Sequence, residues 1–206
     1  MRNSIPGIIY LMIVLIGFQG CDDDEENQNF PPPTIYSIDA SSYDNWVYFS
    51  FELGMAVDVF EPGSSMDWDV AFKRNHIKTN GGLSGVGDGC GIVDSTQIWT
   101  SESFSLTSQI PDNMVCEEDD TIEGNIFTYQ GCYNPETHLF ESCIKNPALD
   151  FWGWFDDSYY FNLNGYQFFV RRPNGGYVKF WPISYRNNNG ETGKISMAYQ
   201  EIVVSE

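Results

Sequence analysis

The chain has 206 residues, of which 16% are aromatic, and carries a formal charge of −19 with only 10 Lys and Arg. Phosphate backbones and anionic bilayer surfaces are held by clustered cations, so this balance excludes nucleic acid and a directly bound membrane surface as partners. Long Ala/Glu/Lys/Leu-rich stretches are missing, and the aromatic residues and glycines favour strands and turns over helices.

At the N-terminus, Arg2 precedes the apolar run from Ile8 to Ile16, which has the length of a secretory signal core rather than of a membrane span. The run leads into Phe18-Gln19-Gly20-Cys21, which resembles a bacterial lipobox and implies a lipid on Cys21. An ordinary secretory signal followed by a coincidental cysteine is the alternative. Asp22-Asp23-Asp24-Glu25-Glu26 comes next, similar to the surface-export signal of Bacteroidetes lipoproteins or, more simply, a solvated tether. Phe30-Pro31-Pro32-Pro33 stiffens the end of this tether into polyproline geometry. The expected organisation is a signal peptide over residues 1–20, a tether over 21–33 and one β domain over 34–206. Contact with the membrane is then expected through the lipid anchor alone.

Thr34 to Ile38 and Asn45 to Leu53 read as strands, the second dense in β-formers. Trp68, Val70 and Phe72 then alternate with Asp69, Ala71 and Lys73, the period of a strand with one buried face. Arg74, His76 and Lys78 continue the same face, so this strand is expected to lead from the core into a charged pocket. Asn80-Gly81-Gly82 ends it, and a glycine-rich tract runs on to Gly91. That tract has neither the dinucleotide-binding spacing nor a P-loop ending, and reads as a mobile or ligand-facing loop. Thr96 to Leu106 fits a strand or a short helix. Glu117-Glu118-Asp119-Asp120 reads as an exposed acidic run without the ligand spacing of a calcium loop.

Four cysteines follow Cys21: Cys90, Cys116, Cys132 and Cys143. An even number in an exported chain suggests two disulfides, with three connectivities open. Pairing Cys132 with Cys143 closes a short loop and leaves Cys90 with Cys116. The first bridge would staple the segment that carries His138. No Cys-x-x-Cys spacing supports zinc or redox chemistry.

Tyr166 to Val170, Tyr177 to Trp181 and Lys194 to Tyr199 read as strands, with hairpin turns at Asn174-Gly175 and Asn187-Asn188-Asn189-Gly190. Ile195, Met197 and Tyr199 share one face. The fold class expected from this pattern is all-β, a mostly antiparallel single domain with minor helix.

Two blocks carry a resemblance. Trp68-Asp69-Val70-Ala71-Phe72 with Thr79-Asn80-Gly81-Gly82, and Val170-Arg171…Asn174-Gly175-Gly176-Tyr177-Val178-Lys179 with Gly193-Lys194-Ile195…Tyr199, resemble the HmuY-like family of haem-binding surface lipoproteins. The resemblance covers roughly residues 45–82 and 159–201. It implies a monomeric antiparallel β fold that holds one haem between two axial ligands, His/His in some members and Met/Met in others. It also implies non-catalytic capture of haem and its delivery to an outer-membrane uptake system, with a TonB-dependent receptor as partner.

The family's ligand loops do not match here residue by residue, so ligand candidates come from residue chemistry. Iron in haem usually takes imidazole or thioether ligands, and the propionates take cations. The sequence has two histidines, His76 and His138, and each has an ordinary alternative as a structural or surface residue. Met114 lies in a loop and is a thioether candidate, Met197 fits a core position, and Met55 and Met66 stay open. Arg74, Lys78, Arg171 and Arg172 form the nearest basic grouping for the propionates. Phe151, Trp152 and Trp154 offer an aromatic slot, or simply core. No hydrolase or zinc-protease motif is present, so an enzyme is not expected. The rival reading is a surface glycan- or protein-binding lipoprotein that stacks sugars on exposed aromatic rings.

Overall fold

The computed structural model describes residues 32–202. The expected signal peptide, the lipidation site Cys21 and most of the tether lie outside the described residues.

A mostly antiparallel β fold is built from two facing sheets. One has four strands in the order β3-β2-β4-β5: β2 (Val47–Ser50), β3 (Met55–Val57), β4 (Val70–Lys73) and β5 (His76–Thr79). The other has five strands in the order β1-β15-β14-β13-β6: β1 (Tyr36–Asp39), β6 (Cys90–Ile98), β13 (Tyr166–Arg171), β14 (Tyr177–Arg186) and β15 (Thr192–Ile202). Three two-stranded ribbons complete it: β7 (Asp120–Ile122) with β10 (Cys143–Lys145), β8 (Cys132–Asn134) with β9 (Leu139–Glu141), and β11 (Gly153–Phe155) with β12 (Phe161–Leu163). The one α-helix among the described residues, α1 (Ser101–Leu106), is closed at its start by a capping box between Thr100 and Ser103. The segment Thr96–Leu106 is therefore the end of a strand followed by a helix.

The main core lies between the two sheets and contains Phe49, Val70, Phe72, Phe168, Val170, Phe180, Ile195 and Met197. A second core covers the far face of the five-stranded sheet, where Phe169, Ile92 and Ala198 pack against Trp99 and Phe104. Burial on both faces explains why Phe168, Phe169 and Val170 are all fully enclosed: alternate residues of β13 serve different cores. Met197 is core, as its alternation suggests.

Four local expectations need correction. The Trp68–Thr79 segment is not one strand, because a two-residue turn at Arg74-Asn75, with Arg74 at φ 53°, folds it into the β4–β5 hairpin. Nor does β4 have a solvated face: Ala71 is as fully buried as Val70 and Phe72 on either side of it, and Asp69 just before the strand is buried too. Asp69 is 2% exposed because it accepts hydrogen bonds from Phe51 N at 2.7 Å and Arg172 Nε at 2.9 Å.

The glycine tract is packed, with its backbone pressed on buried Asn80. Gly89 N donates to Asn80 O at 3.0 Å, and a Cβ on Gly81 would lie 2.0 Å from Gly89 O. Glycine here serves close backbone approach.

Asp119 is not part of an exposed run. It is 2% exposed and accepts from Thr79 N, Thr79 Oγ1 at 2.7 Å and Asn146 Nδ2 at 3.0 Å. Burial pushes its carboxyl up while these donors pull it down. Asp119→Ala would strand several buried donors, so an unfolding free-energy loss of about 3 kcal/mol is expected. Asp119→Asn should lose less. Urea denaturation of the two variants checks this.

Candidate functional site

A cavity of about 740 Å³ opens at the end of the main core where the β4–β5 turn, the β8–β9 hairpin and the strand ends of the five-stranded sheet meet. The turn supplies Lys73, Arg74, Asn75 and His76; the hairpin supplies Cys132, Tyr133, His138 and Phe140. Tyr43, Ile126, Tyr129, Phe155, Tyr159, Tyr185 and Thr192 close the remaining walls. The volume lies within the range of roughly 300–1,000 Å³ typical of cofactor and small-molecule sites, and aromatic rings dominate its walls.

Arg74 is fixed in this wall by the fold. Its N–H donates to Ala40 O at 2.7 Å, its Nη1 to Ser41 O at 3.0 Å and its Nη2 to Thr192 Oγ1 at 2.8 Å. Its guanidinium stacks on Tyr43, with 4.4 Å to the ring centroid. Lys73 is half-buried beside it and makes no ion pair among the described residues; its Nζ lies over the Trp46 ring, 5.1 Å from the centroid. Burial pushes the Lys73 ammonium down from its ordinary value, with Asp44 opposing. A partly desolvated cation without a carboxylate partner is an electrostatic cost that an incoming carboxylate would relieve.

His76 lies in the cavity floor and is 4% exposed. Its Nδ1 lies 3.4 Å from Asp150 Oδ1 and 3.4 Å from Lys145 Nζ, while Lys145 Nζ donates to Asp150 Oδ2 at 2.8 Å. Burial holds the imidazole below its ordinary value, only partly countered by Asp150, so it is a neutral nitrogen base. For Asp150, burial raises the carboxyl, but His76 and Lys145 together outweigh it and leave it lowered. This triad joins β5, β10 and the 3-10 helix at Leu149–Trp152 beneath the cavity.

His138 sits in the β8–β9 turn at φ 57°, and its Nδ1 lies 2.9 Å from Tyr133 Oη. Asn134 shapes that turn by accepting from Glu136 N at 2.9 Å and donating to Glu141 Oε1 at 2.8 Å. Both disulfides have the suggested connectivity, Cys90–Cys116 and Cys132–Cys143. The second bridge ties the base of the hairpin that carries Tyr133 and His138.

The structure thus brings His76, His138 and Arg74 to one cavity. Met114, Lys78 and Arg171 lie elsewhere. Met114 packs against the second core, on the far side of the five-stranded sheet. Lys78 lies over Trp46, Tyr48 and Trp68, its ammonium lowered by burial to about 8. Arg171 faces Asp88 at 3.5 Å, and Arg172 is held by Asp69 and Glu201.

The aromatic slot is not where expected either. Trp152 is core, 1% exposed, with its Nε1 donating to Asn75 O at 2.6 Å; Phe151 and Trp154 are exposed outside the cavity. Missed in the sequence were Lys73 and the tyrosines. Lys73 stands on the face opposite to Phe72 in the alternation, and only the turn after it carries it to the cavity. The tyrosines come from segments far apart in the chain.

The fold and the site together define an antiparallel β protein with an aromatic-walled, locally cationic cavity. A family model described as HmuY protein matches residues 42–199, and the chain belongs to that family. Solved structures agree in fold. The apo HmuY analog of Tannerella forsythia matches with a TM-score of 0.60 at 19% identity, covering 84% of this chain and 96% of that one. A protein of Bacteroides vulgatus ATCC 8482, assigned as HmuY-like and heme binding, matches with a TM-score of 0.61 at 20% identity over 84% and 92% of the two chains. A protein of Bacteroides fragilis NCTC 9343 assigned as a lipoprotein gives 0.60 at 19% identity over 84% and 89%. No curated protein matches the sequence.

Removing the hairpin staple with Cys132→Ala/Cys143→Ala is expected to cost about 2–3 kcal/mol, since the bridge closes a short loop. Hydrogen exchange over residues 132–141 should accelerate while the five-stranded sheet keeps its protection.

Proposed function

We propose that this protein is a non-catalytic, cell-surface lipoprotein that captures one haem in the cavity between the β4–β5 turn and the β8–β9 hairpin. In this reading it hands the haem to a TonB-dependent outer-membrane receptor. Family membership supports the ligand class, and the cavity supports its place. The observation that carries the reading is the coincidence, in one cavity, of aromatic walls, nitrogen bases and the unpaired cation Lys73. Aromatic rings suit a flat macrocycle, Lys73 and the Arg74 guanidinium suit its propionates, and His76, His138 and Tyr133 are donors suited to iron. When bound, the porphyrin supplies the iron; the chain supplies ligands, a dry slot and charge balance. On a chain of formal charge −19, a local cationic wall is what makes an anionic ligand acceptable.

Haemin titration should saturate at one haem per chain. Lys73→Ala is expected to weaken binding by about tenfold, the scale of one partly desolvated carboxylate contact near 1.4 kcal/mol. Met114→Ala should leave the spectrum unchanged. Absence of saturable binding in the wild type would sink the reading, and retardation in polysaccharide gels would then favour glycan recognition.

The lipid anchor rests on Gly20-Cys21 and the acidic run that follows. Cys21→Ser should move the protein from the membrane fraction to the soluble one. Unchanged fractionation, with no palmitate on the wild type, would contradict the assignment.

A further inference from the structure

The β8–β9 hairpin holds a chemically unequal pair at the cavity wall. Tyr133 stands on β8 opposite Phe140 on β9, and the left-handed backbone at His138 turns the imidazole back across the hairpin. The result is a 2.9 Å contact between Tyr133 Oη and His138 Nδ1. Tyr133 is half-buried between the Tyr43 and Phe140 rings, 5.9 and 5.4 Å away, whereas His138 is exposed.

The identity of the nitrogen matters. To ligate iron through Nε2, His138 must carry its proton on Nδ1 and donate it to the phenol oxygen. In the opposite arrangement the phenol donates to Nδ1, and Nε2 carries the imidazole proton and cannot accept a metal. A phenol is the stronger proton donor and imidazole the stronger acceptor, so the second arrangement makes the better hydrogen bond. It leaves the phenol oxygen as the donor atom facing the cavity.

We infer that Tyr133, not His138, supplies an axial ligand to iron, with His138 as the positioning residue that aims and supports the phenol oxygen. This rests on the haem reading above and deepens it by naming the oxidation state bound. With ferric haem in the cavity, Tyr133 would hold the iron through its phenolate oxygen, and the proton released from its O–H would pass along the existing hydrogen bond to His138 Nδ1. The imidazolium so formed stays beside the phenolate oxygen and balances its charge. No electron moves. A phenolate is a hard anionic donor, matched to ferric rather than ferrous iron, as in the tyrosine-ligated haem enzymes. The protein therefore selects ferric haem, and reduction of the iron loosens it.

Two measurements test this, one of them without haem. In the haem-free protein, ¹⁵N chemical shifts should report His138 as the Nε2–H tautomer; an Nδ1–H tautomer overturns the proposal. With ferric haem, the wild type should show phenolate-to-iron charge transfer, with tyrosinate modes enhanced in Raman spectra excited in that band. Tyr133→Phe should abolish these features and lower ferric affinity by at least about tenfold, or 1.4 kcal/mol. Dithionite reduction of the wild type should weaken binding to a similar extent. A wild-type imidazole spectrum that Tyr133→Phe spares and His138→Ala removes would assign the ligand to His138. It would overturn the proposal while leaving the haem reading intact. Lack of any saturable ferric haem binding by the wild type would remove both. Circular dichroism shows that each variant is folded before its spectrum is read.

Discussion

The turn at Arg74-Asn75 is the constraint on which the cavity depends. A left-handed backbone at a non-glycine residue costs on the order of 1 kcal/mol, and it persists where the surroundings over-determine it. Here they do: Arg74 N is held by Ala40 O, the guanidinium by Ser41 and Thr192, and Asn75 O by the Trp152 indole. These bonds reach the segment just after β1, strand β15 and the 3-10 helix, so the turn is locked to the five-stranded sheet as well as to its own hairpin. Because the chain reverses there, Lys73, Arg74, Asn75 and His76 gather at one end of the core instead of spreading along a strand.

The two sides of the cavity are built differently. The floor is continuous with the main core and with the His76–Asp150–Lys145 group, whose members come from separate elements and in which the Asp150 and Lys145 charges need one another. Removing one partner of such a group leaves an uncompensated buried charge. The opposite wall, the β8–β9 hairpin, has few buried apolar residues and relies on a disulfide, an asparagine-shaped turn and small aromatic contacts. Local opening is easiest where apolar burial is least, which makes this wall the less protected of the two.

Charge is distributed to match. With few cations in the chain, most of the well-placed ones are committed to structure. Arg172 bridges Asp69 and Glu201, Lys145 neutralises Asp150, Lys194 pairs with Asp39 at 2.5 Å, and the buried Lys179 donates to Phe104 O. Lys73 is left without a carboxylate partner among the described residues, and it stands at the cavity. On a chain that is acidic elsewhere, this end carries the local positive charge.

The antiparallel β class, the closing hairpins and the core face of β15 were legible in the sequence because period-2 alternation and Asn-Gly turns act over a few residues. The family was legible in the wording around Trp68–Phe72 and Thr79–Gly82. Both disulfides followed from parity and the shorter loop. The cavity was legible only in part. His76 and His138 drew notice because they are the two histidines of the chain, and Arg74 because it extends the β4 pattern, but nothing local says that they meet. Met114 and Lys78 looked equally suitable as isolated residues. Packing against the second core and stacking on Trp46 and Trp68, both long-range facts, took them away from the cavity. The buried acid Asp119 looked exposed because the donors that satisfy it, on Thr79 and Asn146, are far from it in the chain. Local pattern determines which segments pair and which faces are apolar. Which side chains face one another across a cavity is decided by turns and crossovers whose geometry is set only when distant segments pack.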